Sequence, residues 1–203
     1  VVCAVKLADS ADRRGGGRIM LGRRPLAPRD DWAVAEDGRV VVVRAEGYRV
    51  EWIAPDGTRT LGPPTAVRPE RIGRPEKEQW FNEFLTGEIS TGIRRFADGS
   101  RQVTFRRGSS ARPPDDLDAY DWPDRLPPFR AKTTRISPRG EAWVERHLPV
   151  GSSPLVDIFD FRGEKVAEVE LPPGRRLVGF GAGVVYLVRT DEYGLEWLER
   201  YRS

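Results

Sequence analysis

The stretch that decides the fold runs from Phe129 to Leu171. It reads FRAKTTRIS (129–137), a turn at Pro138-Arg139-Gly140, EAWVERHL (141–148), a Pro/Gly/Ser-rich loop, LVDIFDF (155–161), a turn at Arg162-Gly163, and EKVAEVEL (164–171), closed by Pro172-Pro173. Each run has the length of a strand, is rich in Val, Ile, Phe or Trp, and is fenced by Gly or Pro. Four such runs in succession make a four-stranded antiparallel meander, the unit from which propellers are built.

The same pattern occurs upstream. Asp31 to Leu61 gives DWAVAED, a turn at Asp37-Gly38, RVVVVRA, a turn at Glu46-Gly47, YRVEWIAP, a turn at Asp56-Gly57, and TRTL. Asp-Gly between alternating apolar residues is a strong hairpin signal. A third copy begins at Arg175 with RRLVGFG, turns at Ala182-Gly183, continues as VVYLVRT, turns again between Asp191 and Gly194, and stops after LEWLERYR. Gly140 and Gly183 lie 43 residues apart, as do Trp143 and Tyr186. That spacing falls within the propeller range of about 40 to 50 residues per repeat.

Between the first two full copies, residues 63–128 are far too many for a tight connection. Within them a different period predicts a short helix over 75–85. Trp80, Phe81, Phe84 and Leu85 share one face, Pro75 opens it, Glu76 and Glu78 sit in its first turn, and Gly87 follows its end. GIRRFADGSRQVTFRR reads as a hairpin turning at Asp98-Gly99, and ARPPDDLDAYDWPDRLPP as a Pro/Asp-rich loop. At the other end, VVCAVKL and RIML read as short strands around a polar loop ending in Gly15-Gly16-Gly17, with a linker from Arg23 to Asp30. A chain opening directly on an apolar strand reads as part of something longer. The expected fold class is therefore all-β: a partial β-propeller of about three four-stranded antiparallel blades with one inserted short helix. As a single domain it divides into a partial blade (1–30), a blade (31–62), the insertion (63–128), a blade (129–173) and an incomplete last blade (174–203).

Composition narrows the function classes. The 203 residues are 38% hydrophobic with a formal charge of +3, a globular signature. Thirty-four basic residues stand among 31 acidic ones, and pairs such as Arg49/Glu51 and Glu145/Arg146 alternate along strands. Such mixing describes a solvated surface rather than a phosphate-tracking stripe, so no nucleic-acid partner is expected. No apolar run reaches the roughly 18 residues of a membrane helix, so no membrane span is expected. Cys3 and His147 are the sole residues of their types, too few for a Cys/His metal site.

The runs LPPFRAKTTRISPRGEAWVERHL and DIFDFRGEKVAEVELPPGRRLVGFGAGVVYLVRTDEYGLEWLERY, with the earlier DWAVAEDGRVVVV, resemble the C-terminal half of bacterial six-bladed β-propeller proteins of the NHL/TolB-like kind. The resemblance covers roughly residues 31–201. It implies a fold more than an activity, and implies export to the periplasm or exterior. About three repeats stand where six would close a ring, and Asp31-Trp32 lies in a first strand, unlike a WD40 signature.

That shortfall has an energetic consequence. Four large apolar side chains on an open blade face, at roughly 1.5–3 kcal/mol each, forfeit about 6–12 kcal/mol, comparable with a whole domain's stability of roughly 5–15 kcal/mol. The end faces are thus expected to be covered by missing parent blades, a second copy of the chain, or the inserted helix. The free edge of the third copy likewise invites a strand.

Propellers carry ligands on one face, built from the loops between second and third strands and those leading into the next blade. That topology nominates Glu46 and Tyr48, His147 through Ser153, and Asp191, Glu192 and Tyr193, on the side of the insertion. His147 is the one side chain with an ordinary pKa near neutrality, though a loop histidine without a catalytic role is the simpler reading. Asp191 and Glu192 read as a carboxylate pair or as plain turn residues. Asp115, Asp116, Asp118, Asp121 and Asp124 offer hard oxygens for calcium, but without EF-hand spacing and interrupted by Pro123. Trp80, Phe81 and Phe84 read as a docking face or as ordinary packing. Gly179 to Gly183 precedes a strand, which rules out a dinucleotide loop, and no Gly-x-Ser-x-Gly elbow occurs. No catalytic residue and no cofactor is assigned. The expected function is a propeller-type binding module for a protein, peptide, glycan or small ligand. The alternative is a carboxylate- or cation-dependent propeller enzyme of the hydrolase, lyase or lactonase kind, for which the inner strands supply few acids, Glu36 and Asp37 only.

Overall fold

A computed structural model describes residues 24–87, 89–95, 101–107 and 116–202. The strands read at 1–23, the turn at Asp98-Gly99, Asp115, and the side chains of Phe84 and Leu85 lie outside the described residues.

The described chain is all-β apart from one α-helix and a short 3-10 turn. Strands β1 (Asp31–Val34), β2 (Val40–Arg44), β3 (Arg49–Ile53) and β4 (Arg59–Leu61) form one antiparallel meander in chain order. After helix α1 (Arg74–Gly87), β5 (Ile89–Arg95) and β6 (Arg101–Arg107) pair as the expected hairpin. A second meander is built from β7 (Arg135–Ile136), β8 (Ala142–Glu145), β9 (Leu155–Phe159) and β10 (Lys165–Glu170). The third sheet has three strands, β11 (Arg175–Gly181), β12 (Val184–Thr190) and β13 (Glu196–Arg202). The helix begins one residue earlier and ends two later than its sequence pattern. At its start the Glu76 carboxylate accepts the Gly73 N–H at 2.8 Å, tying down one of the helix's orphan donors.

Five of the hairpins use one turn. At 35–39, 54–58, 137–141, 160–164 and 191–195, the first residue's N–H bonds the fifth residue's carbonyl, and the glycine at the fourth position bonds back to the first. Each of those glycines (Gly38, Gly57, Gly140, Gly163, Gly194) has a positive φ. This is the three-residue loop, a type I turn followed by a left-handed residue, that glycine supplies without steric cost. In four of the five an Asp reinforces the loop. The carboxylates of Asp37, Asp56, Asp160 and Asp191 accept the backbone N–H two residues on.

The sheets stack face to face in series. Val41, Val43, Val50 and Trp52 of the first sheet interlock with Ala142, Val144 and Phe159 of the second, and Tyr48 and Phe129 complete that layer. On the far side of the second sheet, Val156 and Trp143 meet Leu177, Phe180, Val185 and Leu187 of the third. Alternation explains the arrangement. Strand residues point to opposite faces in turn, so β9, buried from Val156 to Phe159, serves both cores. The first strands β1 and β7 touch, and the Asp31 carboxylate receives the Thr134 N–H and hydroxyl at 3.0 and 2.7 Å. Backbone contact is close elsewhere between these sheets. A Cβ placed on Gly163 would lie 2.5 Å from the Val50 carbonyl.

Candidate functional site

The second-to-third-strand loop of the second sheet, residues 146–154, is where the insertion comes to rest. Helix α1 is tied through two carboxylates, one to this loop and one to Arg130. Glu76 accepts the Val150 N–H at 3.2 Å, and Glu83 receives the Arg130 guanidinium at 3.1 Å. Arg130 also lies 3.7 Å from Glu145. Burial, opposed by Arg130, pushes the Glu145 carboxyl up.

Beneath this contact sits His147. Its backbone N–H donates to Pro128, and its Nδ1 is buried with no hydrogen-bond partner among the described residues. Burial, followed by the Arg130 charge, pushes the imidazole down to about 4, with Glu76 pulling the other way. A neutral ring is therefore part of the folded state. Because the folded pKa is below the unfolded value of about 6.5, stability from this group is complete above pH 6.5 and is lost as pH falls toward 4. About 2 kcal/mol should be gone by pH 5. Urea titrations of the wild type and His147→Gln at pH 7.5 and 5.0 should differ by that amount in their pH dependence. Glu145 acts with the opposite sign in both proteins and cancels from the comparison, and parallel curves would refute the prediction.

The other nominated residues do not gather around it. Glu46 is exposed at the tip between β2 and β3. Tyr48, expected on the ligand face, is instead in the core at 2% exposure, with its backbone at φ +37°. The ring turns inward between Phe129 and Phe159. Its hydroxyl donates to Asp157 at 2.7 Å, and burial together with that carboxylate pushes the phenol far up. Asp191 is engaged in its own turn, accepting from Tyr193 N–H, Leu195 N–H and the Trp197 indole at 3.0, 2.9 and 2.8 Å. Those donors hold its carboxyl below the usual range. Glu192 and Tyr193 project from the same turn, Tyr193 at 81% exposure. Among the described residues no three His, Cys, Asp or Glu side chains are grouped so as to hold a metal ion.

The feature the sequence did not nominate is a cleft of about 650 Å³ in the insertion, between the start of α1 and residues 118–125. Its walls include Arg71, Lys77, Asp118, Tyr120, Trp122 and Arg125. The aromatic residues of the helix and loop build one cluster. Trp80 meets Trp122 edge to face with ring centres 5.7 Å apart, and Phe81, wholly buried, meets Tyr120 at 5.1 Å. The Trp122 indole donates to the Leu117 carbonyl at 2.6 Å, and Lys77 lies over the same ring at 5.6 Å while pairing with Asp118 at 2.6 Å. That ammonium holds the Asp118 carboxyl below its usual range. Asp121 pairs with Arg24 at 3.0 Å. Two of the acids considered for calcium are thus matched by cations of the chain itself. The sequence signal for the cleft was Tyr120-Asp121-Trp122, two large aromatics inside a loop rich in Pro and Asp.

Compared with models of known families, with curated proteins and with solved structures, the chain matches none of them.

Proposed function

We propose that the chain is a propeller-type binding and interaction module whose three sheets are blades of a larger ring, completed by further blades of a longer chain or by a second copy. The observation that carries this reading is the outward face of the first sheet. Strand register lines up Trp32, Val42, Glu51 and Leu61 across all four strands, with Val34, Val40, Ile53 and Arg59 as the next row. Trp32, Val34 and Leu61 are 65%, 57% and 54% exposed. At the centre Glu51, only 6% exposed, is pinned by Arg44 and Arg59. The inward rows of the same sheet, Ala33-Val41-Trp52 and Val43-Val50, are packed against the second sheet. A blade dressed for contact on both faces and, among the described residues, covered on one is what an open ring leaves. Burying three such side chains is worth about 1.5–3 kcal/mol each.

The edge of β13 supports the same reading. Among the described residues the third sheet has three strands where its neighbours have four, and β13 exposes Trp197 and Leu198 at 51% and 67%. The expected result is self-association in sedimentation velocity or strong binding of a hydrophobic dye, either one lost in Trp32→Asp/Leu61→Asp. A monomer that leaves the dye dark would overturn the reading.

A further inference from the structure

The wall of the insertion cleft carries two arginines placed directly opposite one another. Arg71 and Arg125 form an isolated antiparallel bridge. The flanking bonds run from Ile72 N–H to Asp124 carbonyl at 3.3 Å and from Leu126 N–H to Glu70 carbonyl at 2.8 Å. This makes Arg71 and Arg125 a non-hydrogen-bonded pair, the kind with Cα atoms about 4.5 Å apart and side chains leaving on one side. Like charges in that position repel. The other cations of the cleft are matched, Lys77 by Asp118 and the neighbouring Arg24 by Asp121. Among the described residues neither Arg71 nor Arg125 makes an ion pair, and Arg125 donates only one Nη1 bond, to the Pro69 carbonyl at 2.8 Å. The exposed Asp124 leaves one carboxylate against two guanidinium groups.

We infer that this cleft binds a segment of a partner polypeptide carrying a carboxylate among apolar residues. The carboxylate lies between Arg71 and Arg125, and the flanking side chains rest on Trp122 and Tyr120. A guanidinium fork matches a carboxylate with two parallel hydrogen bonds, and an anion there relieves the Arg–Arg repulsion. The volume and the aromatic walls exceed what a lone inorganic anion covers. The acids Asp118, Asp121 and Asp124 on the same rim disfavour a nucleic-acid backbone, with a negative charge at every step.

The inference rests on the reading of the chain as a binding module but uses different residues, so the two fail separately. Trp32→Asp/Leu61→Asp should abolish the self-association or dye binding and leave the cleft untouched. The test is an NMR or calorimetric titration with acetyl-Ala-Leu-Glu-Phe-Ala-amide and the same peptide with Gln replacing Glu. The Glu peptide should bind at least about ten-fold more tightly than the Gln peptide, and Arg71→Gln and Arg125→Gln should each weaken it about ten-fold. Both variants should melt no lower than the wild type, because a repulsion has been removed. Equal binding of the two peptides, unchanged affinity in the arginine variants, or no binding at 10-fold excess over millimolar protein would overturn the inference. So would phosphate or a single-stranded oligonucleotide binding as tightly as the Glu peptide.

Discussion

Replacing Asp157 by Ala is expected to lower the stability of the protein by about 3–5 kcal/mol, the cost of breaking a buried ion pair from one side. The carboxylate is fully buried in β9, in the sheet that both cores share. It accepts the Tyr48 hydroxyl at 2.7 Å and forms an ion pair with the Lys165 ammonium at 2.6 Å, with Arg146 at 3.9 Å. Lys165 and Arg146 both continue to Glu168. The ammonium is drawn above its usual range by Asp157 and Glu168 against a desolvation that pulls it down. Deleting the carboxylate leaves a core hydroxyl without an acceptor and a partly buried ammonium with one partner. Tyr48→Phe removes a single donor and should cost only about 1 kcal/mol. Denaturant titration of Asp157→Ala, Tyr48→Phe and the double variant should show coupling, because the two share one bond. A loss below about 1 kcal/mol for Asp157→Ala would mean that the network is solvated rather than structural.

That network marks the limit of what the sequence showed. The meanders at 31–61 and 129–171 and the three-stranded end were legible because a short period, Gly-bearing turns and β-branched runs agree there on one structure. Helix α1 was legible from Pro75, Glu76 and Gly87. The common turn was half visible as Asp-Gly. Its Asp160 and Asp191 versions place the Asp three residues before the Gly, and the hydrogen bonds they share with the Asp-Gly versions appear only in the folded chain.

The site was far less legible, and for a physical reason. Topology places a loop on a face, but the backbone of a single residue decides where a side chain goes. Tyr48 takes a left-handed conformation after Gly47 and turns into the core instead of toward a ligand. Its destination was written in Asp157, a charged residue inside the apolar run LVDIF, which is costly unless partnered. The cleft depends on two segments more than 40 residues apart in sequence, Arg71 to Lys77 and Asp118 to Arg125, and no local period signals such a pairing.

The turn glycines allow a second large effect to be separated into its causes. Gly57 and Gly163 occupy the same position of the same turn, at φ +87° and +75°. A Cβ on Gly57 meets nothing within 4 Å, whereas one on Gly163 would lie 2.5 Å from the Val50 carbonyl and 2.9 Å from the Gly62 backbone. Gly57→Ala therefore reports the conformational penalty alone, about 1–2 kcal/mol. Gly163→Ala adds a collision with backbone, which has no rotamer through which to escape, and overpacking of that kind adds about 1–3 kcal/mol. Its total of about 2–5 kcal/mol should appear as a lower denaturation midpoint with an unchanged slope. The collision lies between the first and second sheets, so it also tests their stacking. Equal losses from the two alanine variants would mean that Val50 and Gly163 are not in contact in solution, and that the first sheet does not sit on the second as described.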